Sequence, residues 1–229
     1  MKSYAFIFAR GGSKGLPGKN IRLLAGKPLL QYSIDTALSA PSIDQVFVST
    51  DDPLIAEVAL QCGALLIERP AELASDTSPE WLSWQHAVEW VTEHYGAFED
   101  FISLPATSPL RNITDVENAI KQRKIKNADI CISVTPSGRS PYFNMVKKLD
   151  NGFIELVNNP NNNVARRQDS PEVFDITTVV YATTTQFVMN NYGIFSGKVT
   201  CINVPKNRAV DIDDIYDFKL AETIIREGL

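Results

Sequence analysis

The sequence predicts an α/β fold: a mainly parallel, Rossmann-like three-layer sheet with a small hairpin insertion projecting from it. Three observations carry that prediction. Short apolar runs alternate with longer segments of helical period from the N-terminus to Val134. The helical segments open on capping signals. The alternation then stops, and two short runs are joined by the turn signal Asp150-Asn151-Gly152.

In chain order, Tyr4 to Phe8 reads as the first buried strand. A glycine-rich loop follows, then a helix over Pro28 to Ser39. Gln45 to Ser49 is the second strand, and Asp52-Pro53 caps a helix running to Cys62. Ala64 to Ile67 is a strand, and Ser78-Pro79 opens a helix to Glu93 in the same way. Phe101 to Leu104 is a strand, after which Thr114 and Glu117 make a capping box for a helix over Asp115 to Arg123. Asp129 to Val134 closes the regular alternation. Phe143 to Lys147 and Gly152 to Val157 form the hairpin, followed by a polar stretch from Asn158 to Asn163. Apolar runs resume at Ile176 to Ala182 and Val199 to Val204, and a last helix begins at about Asp214. These boundaries divide the chain into a main domain, 1–136 and 173–229, and an insertion, 137–172. A projecting hairpin with apolar residues needs a cover, and a second copy of the chain supplies one most economically, so a homodimer is expected.

Composition excludes several classes. The chain has 229 residues, 44% hydrophobic and 21% charged, which is ordinary globular usage rather than disorder. Lys plus Arg is 22 and Asp plus Glu 27, a net charge of −5, which argues against sequence-independent nucleic-acid binding. No apolar run approaches the ~18 residues of a membrane span, and the start reads as a strand rather than a signal peptide. Cys62, Cys131 and Cys201 form no CxxC, so zinc and disulfide frameworks are not expected. Cys131 and Cys201 read as reduced, buried thiols, and the expected location is cytoplasmic. His86 and His94 show no metal spacing, and Trp81, Trp84, Val88 and Val91 fall on one helical face and read as core. The cations from Lys121 to Lys126 lie where a helix C-terminus favours them.

The chemistry concentrates in the loop after the first strand, Ala9-Arg10-Gly11-Gly12-Ser13-Lys14-Gly15-Leu16-Pro17-Gly18-Lys19-Asn20. Ligands of parallel sheets sit beyond the carboxyl ends of the strands. Glycines let backbone N–H groups approach an anion, and Arg10, Lys14 and Lys19 supply the positive charge that the molecule as a whole lacks. The loop therefore reads as a phosphate cradle. It is not a Walker loop, because Ser13 stands at the first glycine position and Asn20 follows Gly18-Lys19. It is not a G-x-G-x-x-G fingerprint either, since Ser13 follows Gly11-Gly12. At the other end of the chain, Asp211 and Asp213 share one face of an extended segment. That spacing suits Mg²⁺, which takes one or two carboxylates plus phosphate oxygens. It leaves open the reading in which Asp213 or Asp214 merely caps the last helix.

The loop, with Val48-Ser49-Thr50-Asp51, Arg69-Pro70-Ala71-Glu72-Leu73-Ala74-Ser75-Asp76-Thr77, Thr107-Ser108-Pro109-Leu110-Arg111, Arg167-Gln168 and Val210-Asp211-Ile212-Asp213, resembles the CMP-acylneuraminate synthetases. These are cytidylyltransferases that activate sialic acid and related sugar acids, and the blocks keep that family's order over nearly the whole chain. The resemblance implies transfer of CMP from CTP to the anomeric hydroxyl of a sialic-acid-like nonulosonic acid, with release of pyrophosphate. It implies that Arg10, Lys14, Lys19 and Asp211 carry catalysis. Ala9, Arg10, Gly11, Ser13, Lys14, Lys19, Asn20, Arg69, Asp76 and Thr107 would line the nucleotide site, with Arg69 near the cytosine. Arg111, Arg167, Gln168, Asp175 and Thr177 would face the sugar, and Asp211 and Asp213 would hold Mg²⁺. Sites shared between the subunits of a homodimer are implied as well. Two departures fall on the sugar side. Pro105-Ala106 stands where many members carry Gln-Pro, and Asp175-Ile176-Thr177-Thr178 where many carry Arg-Pro-Asn-Gly. They leave a legionaminate-like, pseudaminate-like or other ulosonate as eligible an acceptor as N-acetylneuraminate. A related enzyme using a Kdo-type or other small acid, and a non-catalytic nucleotide-binding protein, are the competing readings.

Overall fold

The computed structural model describes residues 2–158 and 170–228. Its eleven strands are β1 (Ser3–Phe8), β2 (Leu23–Leu24), β3 (Lys27–Pro28), β4 (Gln45–Thr50), β5 (Leu65–Glu68), β6 (Asp100–Ser103), β7 (Ile130–Pro136), β8 (Val146–Lys148), β9 (Ile154–Leu156), β10 (Phe174–Thr184) and β11 (Val199–Asn203). The α-helices are α1 (Leu29–Ser39), α2 (Pro53–Gln61), α3 (Glu80–Tyr95), α4 (Ile113–Lys126), α5 (Thr185–Asn190) and α6 (Ile215–Glu227). Seven strands form the central sheet in the order β11-β7-β10-β6-β1-β4-β5. β10 alone runs against the rest, pairing antiparallel with both β6 and β7. The predicted α/β, mainly parallel sheet is therefore the observed one.

The period-2 alternation of β1 sorts its side chains onto two faces. Ala5 and Ile7 enter a core with α1, α2 and α4, while Tyr4 and Phe6 enter an aromatic core with α3 and α5. Phe6 is fully buried and stacks on Phe101 at 4.3 Å between ring centroids, so truncating it to Ala should cost about 3–5 kcal/mol. A third, smaller cluster joins Leu16 of the glycine loop to Ile212 beside the late aspartates and to Phe218 of α6. It fastens the two chemistry-bearing segments to one another.

Several local expectations are corrected. α4 is capped by Asn112 and Asp115, not by Thr114 and Glu117. Glu117 instead accepts hydrogen bonds from the backbone and hydroxyl of Ser42. Asp52 caps α2 as expected, but Ser78 does not cap α3, whose N-cap is Pro79. Cys131 is buried, which pushes its thiol up to about 12, whereas Cys201 is exposed on the edge strand β11. The short helix α5 was not legible. Nor was the β2–β3 hairpin, whose turn needs positive φ at both Ala25 and Gly26. The predicted insertion hairpin is present as the separate pair β8–β9, with Val146, Phe153 and Ile154 exposed. Among the described residues no helix is long and apolar enough to cross a membrane.

Candidate active site

Because β1, β4, β5 and β6 run parallel, their carboxyl ends meet at one edge of the sheet. The segments that follow them, the glycine loop, Asp51, Arg69 and the 105–111 loop, are thereby gathered there. β10 enters from the same edge because it runs the other way, bringing Thr178 with it. Between these segments lies a cleft of about 510 Å³.

Arg10, Ser13, Lys14, Lys19 and Asn20 from the loop line the cleft, as do Arg69, Asp76 and Thr107. Ala9 and Gly11 lie behind it. The amide of Ala9 donates to Ser49 O at 3.0 Å, and that of Gly11 to Asp51 Oδ1 at 3.1 Å. A side chain on Gly11 would meet Asp52 Oδ2 at 2.5 Å, so this position holds the loop against α2 rather than contacting a ligand. Asn20 likewise braces the loop, its Nδ2 donating to Arg10 O at 3.0 Å.

The cations are held in place by acids. Asp76 pairs with Arg10 Nη2 at 3.0 Å and with Lys14 Nζ at 2.6 Å. Lys14, then Arg10, hold the Asp76 carboxyl below the usual carboxylate range. Asp76 thus presents the two cations, and its own charge would oppose direct contact with a phosphate. Lys19 is buried and reaches across to the late segment, donating to Ile212 O and lying 3.7 Å from Asp213 Oδ1. Arg69 donates to Ser49 Oγ at 3.1 Å and Ser49 O at 2.7 Å, with its guanidinium 5.5 Å from the Phe8 ring centroid. Burial lowers its pKa to about 10, so it stays charged at neutral pH.

Asp213 lines the cleft on the opposite side, and Asp211 lies half-buried beside it. Ile212 between them is fully buried, its amide donating to Thr107 O at 2.9 Å. The alternation therefore puts both carboxylates on the face away from the core, as the spacing predicts. Capping of the last helix falls to Asp214, which forms a capping box with Asp217. Asp213 is left free of that task. Asp211 Oδ1 is buried with no hydrogen-bond donor among the described residues. Burial raises the Asp211 carboxyl pKa, Asp213 adds to this, and the hydroxyls of Thr107 and Thr178 and the Lys19 ammonium pull the other way. An unmatched carboxylate oxygen beside a second carboxylate is a donor set that suits a divalent cation. Among the described residues no cluster of three or more His, Cys, Asp or Glu could hold a metal. Two carboxylates would therefore need phosphate oxygens and water to complete the shell.

The sugar-side expectations fare differently. Arg111 does not reach the cleft. It is buried, and its guanidinium donates to Val179 O at 2.7 Å, to Ser33 Oγ at 2.5 Å, and to the carbonyls of Pro105 and Thr178. Burial lowers its pKa to about 9. Its observed part is to tie the 105–107 loop to β10, because four acceptors already surround it. Thr177 is also buried, donating to Ser133 Oγ at 2.8 Å, and Asp175 is exposed on β10 opposite Thr135. Neither lines the cleft. Arg167 and Gln168 lie outside the described residues.

Tyr181 and Glu80 are cleft residues that the sequence did not single out, whereas Thr178 belongs to the altered sugar-side block 175–178. Thr178, Tyr181, Ser78 and Glu80 all line the cleft. The register of β10 slips between Thr177 and Tyr181, and this bulge turns Thr178 toward Ser108, whose hydroxyl is 2.6 Å away. Ser78 Oγ is buried with no hydrogen-bond partner among the described residues. Glu80 accepts a hydrogen bond from Trp84 Nε1 at 3.2 Å. Glu80 is an exposed residue, yet neighbouring atoms crowd its carboxyl and raise its pKa, against the Trp84 hydrogen bond and the pull of Arg69. Tyr181 is pushed up to about 12, by burial and by the charges of Glu80 and Asp211. The signals available in advance were Thr178 in that block and the segment Asp76-Thr77-Ser78, where capping was a sufficient explanation for Ser78.

A profile described as Cytidylyltransferase matches residues 4–200. Among curated proteins, the chain is 31% identical to post-translational flagellin modification protein B of Campylobacter coli, over 96% of this chain and 94% of that one. It is 32% identical to a CMP-N,N'-diacetyllegionaminic acid synthase of Campylobacter jejuni, over 96% of this chain and 93% of that one. Among solved structures, a CMP:2-keto-3-deoxy-manno-octonic acid synthetase complexed with CTP superimposes with a TM-score of 0.74 at 18% identity, covering 100% of both chains, which is a likeness of fold.

Proposed function

The chain belongs to the cytidylyltransferase family, and from that premise we propose that it transfers CMP from CTP to the anomeric hydroxyl of a nonulosonic acid, releasing pyrophosphate and using Mg²⁺. The observation that carries this reading is the meeting of the loop cations with the late carboxylates across one cleft. The contact is close: a side chain on Gly15 would meet Asp213 O at 2.3 Å.

Each residue then has a task. Arg10 and Lys14 exchange Asp76 for the triphosphate, drawing charge toward the leaving pyrophosphate. Lys19, fixed by Ile212 O and Asp213, stands between the phosphates and the carboxylates. Asp211 and Asp213 would hold Mg²⁺, and Thr107 and Thr178 orient Asp211 from behind. When bound, the ion supplies a Lewis acid for the phosphate and the attacking hydroxyl. Arg69 and Phe8 form the buried end where the base would stack. The acceptor is left the side of Pro105, Thr178, Tyr181 and Glu80.

We assign the exposed apolar surface of the β8–β9 hairpin to a second copy of the chain. Sedimentation showing only a 25.4 kDa species at assay concentration would remove that assignment.

The activity is tested by pyrophosphate release from CTP against a panel of nonulosonic acids and an eight-carbon ulosonic acid. Release that requires CTP, Mg²⁺ and a nonulosonic acid is expected. No release with any acceptor, or equal release from UTP, rejects the reading.

A further inference from the structure

Between β11 and α6 the chain runs from 204 to 214 without a helix or strand, and this stretch carries Asp211 and Asp213. Regular structure therefore does not set the place of either carboxylate. Individual attachments do. The amide of Val204 donates to Val134 O at 2.8 Å at the start of the stretch, and that of Ile212 to Thr107 O at 2.9 Å near its end. Arg208 supplies a side-chain attachment between them, three residues before Asp211. Its Nε donates to Asp115 Oδ2 at 3.2 Å and its Nη2 to Asp115 Oδ1 at 2.8 Å. Two parallel bonds between planar groups fix direction as well as distance.

The anchor is itself held. Asp115 is buried in the first turn of α4, where its Oδ2 also accepts from the Asn112 amide at 3.0 Å and closes the capping box. Its charge attracts the buried Arg111, whose guanidinium holds the carbonyls of Pro105 and Thr178. Thr107 and Thr178 in turn give their hydroxyls to Asp211. The first turn of α4 is thus a joint. The wall behind Asp211 is tied to it through Arg111, and the segment carrying Asp211 through Arg208. Burial of that segment has other support, since Ala209 and Val210 pack against two of the apolar clusters.

We propose that Arg208, locked to Asp115, is a positioning residue that sets how Asp211 and Asp213 enter the cleft. What the carboxylates do there rests on the metal-dependent reading above, whereas the tether itself does not. The tether and the charge of Arg208 predict opposite signs. Removing a cation from the neighbourhood of two carboxylates should by itself favour a divalent ion. Releasing the tether should weaken the ion's binding, because its ligands no longer converge.

The test compares the full chain with its Arg208→Met variant, using Mn²⁺ as the probe and CTP at saturation without an acceptor. Water-proton relaxation separates the protein-bound ion from the ion on free CTP. The variant is expected to bind Mn²⁺ about 10-fold more weakly. In the ligand-free chain, amide exchange followed by NMR should be about 10-fold faster at Ile212 and unchanged at Val204. Asp100→Asn is the control for lost stability. It breaks a buried cluster with Arg123 and Lys124 at the amino end of β6, away from the cleft, and should lower Tm without changing Mn²⁺ binding. Mn²⁺ binding that is unchanged or tighter in Arg208→Met overturns the inference. So does an Ile212 amide that exchanges no faster, or an equal loss of Mn²⁺ binding in Asp100→Asn. Should the methionine variant not fold, Arg208→Lys takes its place, keeping a cation for Asp115 without the two-bond fork. Mn²⁺ binding equal to the wild type in that variant overturns the inference as well. A wild-type chain that binds no Mn²⁺ removes the metal reading, and the Ile212 amide then decides the tether: faster exchange leaves it standing and an unchanged rate removes it.

Discussion

The two ends of the cleft are built in opposite ways. At one end Arg10, Lys14 and Lys19 come from a single short loop, and Asp76 holds two of them. At the other end Glu80, Trp84, Tyr181 and Phe195 come from α3, β10 and the segment before β11, with Tyr181 packed on Trp84 and Glu80 accepting from the Trp84 indole. The first end is a concentration of charge written locally. The second exists only once the sheet has brought distant segments together. Under the proposed function the triphosphate falls to the local end and the acceptor to the assembled one.

Breaking the carboxylate side should have the largest effect. Asp211→Ala is expected to lower kcat by about 10²–10³ with the circular dichroism spectrum unchanged, and near-normal turnover at saturating Mg²⁺ would refute its role. Arg10→Ala should come next, reducing kcat/KM for CTP by roughly 10²-fold. Lys14→Ala should cost only about 10-fold, because Lys14 is 77% exposed and Arg10 34%. Steady-state kinetics in which Lys14 matters more than Arg10 would reverse that ranking. Gly15→Ala sharpens the link between the two sides. Its methyl group must displace Asp213, so kcat should fall by about 10-fold while CTP binding by the remaining loop persists.

The smallest effect carries the opposite sign. A carboxyl whose folded pKa is raised binds protons more readily in the native than in the unfolded chain, so it costs stability as pH rises through the folded value. Asp211 is such a group. Asp211→Asn should therefore stabilise the protein at neutral pH by about 1 kcal/mol, or about 2–4 °C in Tm, while abolishing turnover. That gain should vanish below the ordinary carboxylate range, where the wild-type side chain is protonated in both states. A Tm difference that persists in acid would refute the electrostatic cause.

The fold was legible because each sheet strand carries its own apolar run and each long helix its own period. Asp52-Pro53 even marked the start of α2. The glycine loop and the Asp-x-Asp pair were legible for the same reason: spacing along one segment fixes which face each residue takes. What failed was whatever depended on register or depth. Arg111 looked available for a ligand, but four acceptors from three segments surround it. Within the sugar-side block 175–178, spacing did not tell Thr178 from Thr177; Thr177 is buried, and the bulge pinned by Ser133 brings Thr178 to the cleft. Cys201 read as core from its apolar neighbours, and the edge position of β11 exposes it. Trp81 and Trp84 were rightly placed in the core, while their place in the lining of a second cavity, with Tyr181 and Phe195, required knowing what lies across from them.

Gly15 abuts the backbone of Asp213, and Leu16 shares a cluster with Ile212 and Phe218. On the ribosome the glycine loop emerges almost two hundred residues before the aspartates that complete it. A nascent chain that has already built β1, β4 and β5 thus presents the cations but no carboxylate pair, and under the proposed function it lacks the groups that would hold the metal. Competence arrives late in translation, once the segment carrying Asp211 and Asp213 has closed against the loop.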